Sequence, residues 1–429
     1  MGNGKPPSGL SSRVVVSGVN GALYGWGLHL GKLDGIGRSA AAALGRPDHP
    51  PTFAQMHDHA MHVAKAPARR FYYEAPYFVD VMMAVANYYG LDLPLCAGDI
   101  YNYEAEAMGA KMIYGEDSMP TIDHADPLIK EPRDLLKLKP PDPLKDGRMP
   151  YAVEVVKLAG QRLGFGLGNF CAPFSLACGI RSYPLLIRDM RKNPSFAHDL
   201  FTFLVDEVLV PFVRVQKEQA GVKFALGADA WAAFPNLTPE MVEEWVAPYA
   251  HRLLDACKPF GVIASAIASA DYCEERVDKI SNEMIIKCFQ AFAKVTGVPI
   301  AFIGMGRGQD WDLTAVRDYA WNSKIKWYGR APIIAGINAR FLRDSSVEEI
   351  AELVKRYIDV MGRRGRFFIF LANIPADTPP DHVHAAISAV RTYGRYPIAD
   401  DLDQIEFKMP QRESFEEYAS KTGALSATA

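Results

Sequence analysis

The chain has 429 residues, 49% apolar and 23% charged, a composition that excludes wholesale disorder and fibrous repeats. Lys plus Arg number 47 against 50 Asp plus Glu, so the net charge of −3 gives no global electrostatic claim on nucleic acid or an anionic membrane. The start, MGNGKPPSGLSS, has no apolar core of a signal segment, and no run of apolar residues later is long enough to span a bilayer. Six cysteines (Cys96, Cys171, Cys178, Cys257, Cys273, Cys288) form no C-x-x-C pair, which points to reduced thiols and a cytoplasmic location.

In chain order, residues 1–12 read as a loose terminus, and 1–70 as an N-terminal extension packed on the main domain. From there to about 400, helical and strand-like pieces alternate. Short apolar runs at 165–171, 222–228, 261–268, 299–304, 333–337 and 366–371 predict strands. Amphipathic stretches at 196–218, 239–257, 272–297, 346–362 and 380–394 predict helices. Ser346 with Glu349 fits a capping box, and Pro379-Pro380 a helix start. The stretch 120–150 carries seven prolines and many charges, and reads as an ordered surface excursion or long loop. Residues 401–429 read as a polar tail. Strands alternating with helices imply a parallel α/β sheet, and their number favours a closed (β/α)8 TIM-type barrel over an open doubly wound sheet.

Three stretches carry a family resemblance: GDIYNYEAEAMGAKMIYGEDSMP (98–120), NFCAPFSLACGIRSY (169–183) with GVKFALGADAWAAFP (221–235), and RFFIFLANIPADTPPDHVHAAISAVRTYG (366–394). Together they resemble the uroporphyrinogen decarboxylase superfamily, and within it the branch of corrinoid-dependent methyltransferases. The decarboxylases carry an R-Q-A-G-R segment that grips substrate carboxylates; the corresponding FYYEAPYFVD (71–80) has no arginine, and the family's late histidine falls at Ala372. The methyltransferase branch holds a thiol-activating zinc through H-x-C and a late cysteine. Here those positions read FIGMGRG (302–308) and Ala372, so zinc of that pattern is not expected. The resemblance then implies methyl transfer from a small methylated donor, such as a methoxylated aromatic, to a corrinoid (cobalamin) on a separate corrinoid protein, since the chain shows no D-x-H-x-x-G motif. The alternatives are a lyase or decarboxylase working by acid–base chemistry without corrinoid, and a binding protein that kept the barrel. A homodimer is an expectation that the helix faces allow.

In such a barrel the site lies at the C-terminal ends of the strands. Asp229, in GADAW after a strand, is the leading catalytic candidate: a general acid on an ether oxygen eases departure of a phenolate. Alternatively it caps the next turn. Asp99 lies where the resemblance places a pocket carboxylate, or caps a helix. Glu104 and Glu106 lie two apart, so a helix would send them to different faces; Glu106 is kept as a catalytic candidate. Tyr101 and Tyr103 are candidates to line an aromatic substrate pocket, or pack beside a helix start. His57, Asp58, His59 and His62 form the densest titratable cluster, with His57 and His59 as substrate-binding candidates and His59 with His62 as weak metal candidates; ordinary surface histidines are the other reading. Gly304, Gly306 and Gly308 make a glycine-rich rim that is not a dinucleotide loop. Cys171 and Cys178 read as small buried apolar residues.

Overall fold

The computed structural model describes residues 35–45, 47–267, 281–305, 311–325 and 329–425. Its parallel strands are β1 (Thr52–Ala54), β2 (Leu93–Pro94), β3 (Leu167–Cys171), β4 (Phe224–Ala228), β5 (Ile263–Ile267), β6 (Ala301–Met305), β7 (Ile333–Ile337) and β8 (Phe367–Leu371). They form one five-stranded arc, β2-β1-β8-β7-β6, and one three-stranded arc, β3-β4-β5. This is the cyclic strand order of a (β/α)8 barrel. Among the described residues, no ladder joins β2 to β3 or β5 to β6.

All six strands expected from apolar runs are present. β1 and β2 were not expected. β1 falls inside the stretch read as an extension, yet Thr52 pairs with Ile369 and Phe53 with Leu93, which places it inside the sheet. The helices follow the amphipathic stretches. Those at 196–218 and 239–257 are each interrupted by a π-helical turn, at Leu204–Leu209 and Val242–Val246. Residues 268–280 and 306–310, which hold the start of the 272–297 helix reading and most of the glycine-rich rim, lie outside the described residues.

One helix illustrates how the sequence dictates packing. Val347–Met361 buries Ile350, Ala351, Val354, Tyr357, Ile358 and Met361, a single stripe at three- and four-residue spacing. Its N-terminus carries the expected capping box between Ser346 and Glu349. Ser346→Ala should cost about 1 kcal/mol of stability, read as a lower urea midpoint at unchanged m-value. An unchanged midpoint would mean the helix end is held by packing alone.

The 120–150 excursion is pinned rather than loose. Ile129 is fully buried, its amide donates to Ile180 O at 2.9 Å, and the buried Arg181 donates Nη1 to Ile129 O at 2.9 Å and Nε to Asp189 at 2.7 Å. The three-stranded arc is asymmetric. Ala225 and Ala264 are buried, and Ala225 lies on the side of Val210–Ala220, whereas Phe224, Leu226 and Ile263 on the lumen side are 54%, 36% and 50% exposed. Barrel interiors are ordinarily filled by such side chains. Among the described residues no helix is long and apolar enough to cross a membrane.

Candidate active site

Asp229 follows β4 directly, at the strand's C-terminal end, and its amide donates to Ile267 O of β5 at 2.9 Å. The side chain is fully buried. Oδ1 accepts from the amide and the hydroxyl of Ser175, at 2.9 and 2.7 Å, and Ser175 Oγ in turn accepts from the Trp231 amide at 3.1 Å. Ser175 lies in the first turn of the helix Pro173–Arg181, which follows β3. Oδ2 has no partner among the described residues. Burial pushes the Asp229 carboxyl up to about 7, against the two Ser175 hydrogen bonds that pull it down. The acid therefore titrates near neutrality instead of in the usual carboxylate range. Trp231, two residues on, stacks on Tyr183 at 5.4 Å and meets His124 at 6.0 Å, an aromatic wall next to the acid.

A second group is built around Asp99, after β2. The short helix Tyr103–Ala107 sends its two glutamates to different surroundings, as a helical spacing requires. Glu104 is fully buried and accepts from the Cys171 amide at 2.8 Å, so its carboxylate serves the β3 edge where no ladder joins β2 to β3. Burial pushes it up to about 8. Glu106 instead accepts from Arg148 Nε at 2.5 Å. Arg148 also donates Nη2 to Asp99, whose other oxygen accepts from Asn102. Burial raises Asp99 to about 7, although Arg148 and Asn102 oppose the shift. The Arg148 guanidinium lies 5.3 Å from the Tyr103 ring and 5.5 Å from the Tyr73 ring, over their faces. Tyr103 is buried and accepts from the Asp99 amide at 3.1 Å; Tyr101 is half-buried against the core.

The histidines separate. His57 is half-buried and contacts Tyr72 Oη through Nδ1 at 3.1 Å, while Tyr72 also bonds Asp58. His59 turns into the core, stacks on Tyr89 and shares a 2.6 Å hydrogen bond with its hydroxyl; burial lowers it to about 4. His62 is exposed. The helix His57–Val63 thus does not present His59 and His62 as a pair, because its buried face runs through His59, Ala60 and Met61. Nor do the residues fit zinc. β6 offers neither His nor Cys, position 372 is a buried alanine, and among the described residues no three His, Cys, Asp or Glu side chains converge on a metal position. Cys171 and Cys178 are fully buried with thiols pushed up by burial, as expected of packing residues.

Sequence reasoning singled out Asp229, Asp99 and the glutamates but missed Arg148, Ser175 and Tyr72. Arg148 stands just before the helix Met149–Leu163, at the end of the charged excursion, and its partners lie 42 and 49 residues earlier. Ser175 stands in a block that carries the family resemblance, in which only Cys171 and Cys178 were read individually. Tyr72 precedes the helix Ala75–Tyr89 and bonds back to the histidine helix.

A family model described as uroporphyrinogen decarboxylase (URO-D) matches residues 38–393. The chain is 30% identical over 182 residues to a uroporphyrinogen decarboxylase of Myxococcus xanthus (strain DK1622), an alignment covering 40% of this chain and 49% of that protein. It thus spans about half the length of that relative. With a uroporphyrinogen decarboxylase of Chloroflexus aggregans (strain MD-66 / DSM 9485) the identity is 24% over 314 residues, covering 71% of this chain and 79% of the relative. Among solved structures, a methyltransferase from Methanosarcina mazei superposes with a TM-score of 0.63 at 16% identity, covering 83% of this chain and 98% of that one, a likeness of fold. On the extent of the family match, this chain belongs to the uroporphyrinogen decarboxylase (URO-D) family.

Proposed function

We propose that this chain is a methyltransferase that moves a methyl group from a small methoxylated aromatic to a corrinoid brought in by a partner protein. The observation that carries the reading is Asp229: a buried carboxylic acid with, among the described residues, no cation beside it and no partner for one oxygen, poised to hold a proton near pH 7. Phenolate is a poor leaving group, and the breaking O–CH3 bond leaves its electron pair on the aryl oxygen. A proton delivered there from Asp229 accelerates departure by ~10²–10⁴-fold for a well-placed acid. The corrinoid, as co-substrate, supplies the reduced cobalt whose electron pair forms the new bond to the methyl carbon. Ser175 fixes the carboxyl's orientation through Oδ1, leaving Oδ2 for the donor. Trp231 and Tyr183 offer a face against which an aromatic ring can stack.

A second reading, decarboxylation, is favoured by the relatives' names and by the position of Asp99. Against it stands the use of cations. The buried arginines among the described residues are Arg148 and Arg181, and both are committed to acceptors of the protein itself. A porphyrinogen with eight carboxylates requires cations in excess.

The test is to mix the protein with reduced corrinoid, free and protein-bound, and a panel of methoxylated aromatics, following the spectrum of methylated corrinoid and the release of phenol. Stoichiometric phenol and methylated corrinoid are expected. Carbon dioxide release from uroporphyrinogen, with no methylation from any donor, would sink the methyltransferase reading in favour of the second.

A further inference from the structure

Side chains alternate between the two faces of a strand, and partners in register share a face. Gly168, Ala225 and Ala264 face outward: a Cβ on Gly168 would lie 2.9 Å from the Gln216 carboxamide on the helix Val210–Ala220. Asn169, Leu226 and Ser265, the next layer in register, therefore face the lumen. In the five-stranded arc Phe367 faces outward against Gly362, which puts Phe368 and Phe370 in the lumen together with Phe53 and Phe302. Phe53 stacks on Phe370 at 4.8 Å, and Phe302 meets Phe370 at 5.6 Å, so that half of the lumen is filled by rings. The half beneath Asp229 is open. Leu226, in the middle of β4, is 36% exposed, and Ala228 and Ile267, one layer nearer the strand ends, are half-buried.

A polar group stands at this open half. Asn169 is 6% exposed, and its Oδ1 is buried with no partner among the described residues. The backbone of the same residue is satisfied, since Gln216 accepts from the Asn169 amide at 2.9 Å and donates to its carbonyl at 2.8 Å. A buried acceptor without a hydrogen is costly, and a ligand that brings one recovers the cost on binding. A hydroxyl does so; a methyl group or an ionised carboxylate does not. A carboxylate would also lie uncompensated, because none of the eight strands contains a lysine or an arginine. Asn169 and Leu226 share a layer three residues below Asp229, about 10 Å at ~3.3 Å per residue. A lone aromatic ring at Asp229 leaves that layer unreached, whereas a ring carrying a propyl-length tail reaches it.

We propose that the open half of the lumen holds a tail of the methyl donor: an uncharged chain, para to the methoxy group, ending in a hydroxyl that donates to Asn169 Oδ1. The choice of donor rests on the proposed methyl transfer, but the test needs no transfer. Equilibrium dialysis without corrinoid compares methoxybenzene, 1-butyl-4-methoxybenzene, 3-(4-methoxyphenyl)propan-1-ol and 3-(4-methoxyphenyl)propanoate. The butyl compound is expected to bind about 10-fold or more tighter than methoxybenzene, since each methylene buried is worth about fourfold. The alcohol should match or exceed its butyl isostere, and the propanoate should fall about 10-fold or more below the alcohol.

Leu226→Trp fills the open half and should shrink the gain from the tail to within about threefold, with methoxybenzene binding kept. Asn169→Leu keeps both backbone bonds to Gln216 and removes the acceptor, and should weaken the alcohol relative to the butyl compound by about 10-fold. Should it not fold, Leu226→Trp and the wild-type affinities decide. Affinity indifferent to the tail, a tail gain undiminished in Leu226→Trp, tightest binding of the propanoate, binding of none, or an unchanged alcohol-to-butyl ratio in Asn169→Leu each overturns the inference. Tail-dependent binding without methyl transfer would sink the functional reading alone. Methyl transfer without that dependence would sink this inference alone.

Discussion

Asp229→Asn is expected to make the folded chain more stable at pH 8 while lowering methyl transfer by ~10²-fold or more. The carboxyl's ordinary value is 3.8, and burial raises it to about 7 in the fold. A group raised in this way gives its full contribution below the unfolded value and loses it as pH climbs through the folded one. At pH 8 the wild-type fold therefore carries an ionised carboxylate with no cation beside it among the described residues, a penalty of about 4 kcal/mol from the shift alone. Asparagine keeps an oxygen for the amide and hydroxyl of Ser175, but buries an amide hydrogen pair where Oδ2 has no partner among the described residues, at about 1–3 kcal/mol. The net gain is about 2 kcal/mol at pH 8, shrinking by about 2–3 kcal/mol on descent to pH 5. Urea denaturation of both proteins at the two pH values measures it. A difference that stays flat with pH would show that Asp229 does not retain a proton. Stability gained by removing a group and activity lost with it is the expected signature of a residue kept for chemistry.

Arg148→Met tests the other half of the site and should be the most damaging single change in it. The variant leaves Asp99 and Glu106 without their common cation, and removing one partner of a buried ion pair typically costs about 3–5 kcal/mol. The loss depends on pH. Asp99 is already raised to about 7, and without Arg148 it rises further, so the deficit grows between pH 5 and pH 8. Adding Asp99→Asn and Glu106→Gln removes the stranded charges and should recover most of the stability, though not the activity. A loss below about 1 kcal/mol at pH 8 would mean that water, rather than the arginine, balances these carboxylates.

The parts legible in the sequence were those with local signals. Six strands showed as apolar runs and the long helices as periodic stripes, because each buries its pattern within one continuous segment. β1 and β2 were not legible: three and two residues in strand are too few to show a period, and their place in the sheet is set by neighbours far along the chain. The site divides in the same way. Asp229 could be found from its place after an apolar strand, whereas its hydrogen-bond partner Ser175 lies 54 residues earlier. Arg148 resembled any other charge in a proline-rich excursion until folding brought Asp99 and Glu106 to it. Helical spacing correctly separated Glu104 from Glu106. The same arithmetic grouped His59 with His62, but the helix turns His59 toward Tyr89 and leaves its neighbour in solvent.

Glu104 gives the barrel a property that backbone pairing would not. Ladder bonds are indifferent to side-chain identity, so a seam closed by a ladder is beyond the reach of any one ordinary substitution. The joint between the second and third strands instead includes a single carboxyl group on the Cys171 amide. That hydrogen bond, unlike a ladder bond, can be removed by a change at one position, with the packing of the surrounding helices left in place. A descendant that lost the carboxyl at position 104 would lose this bond while the ladders of the two arcs kept their register.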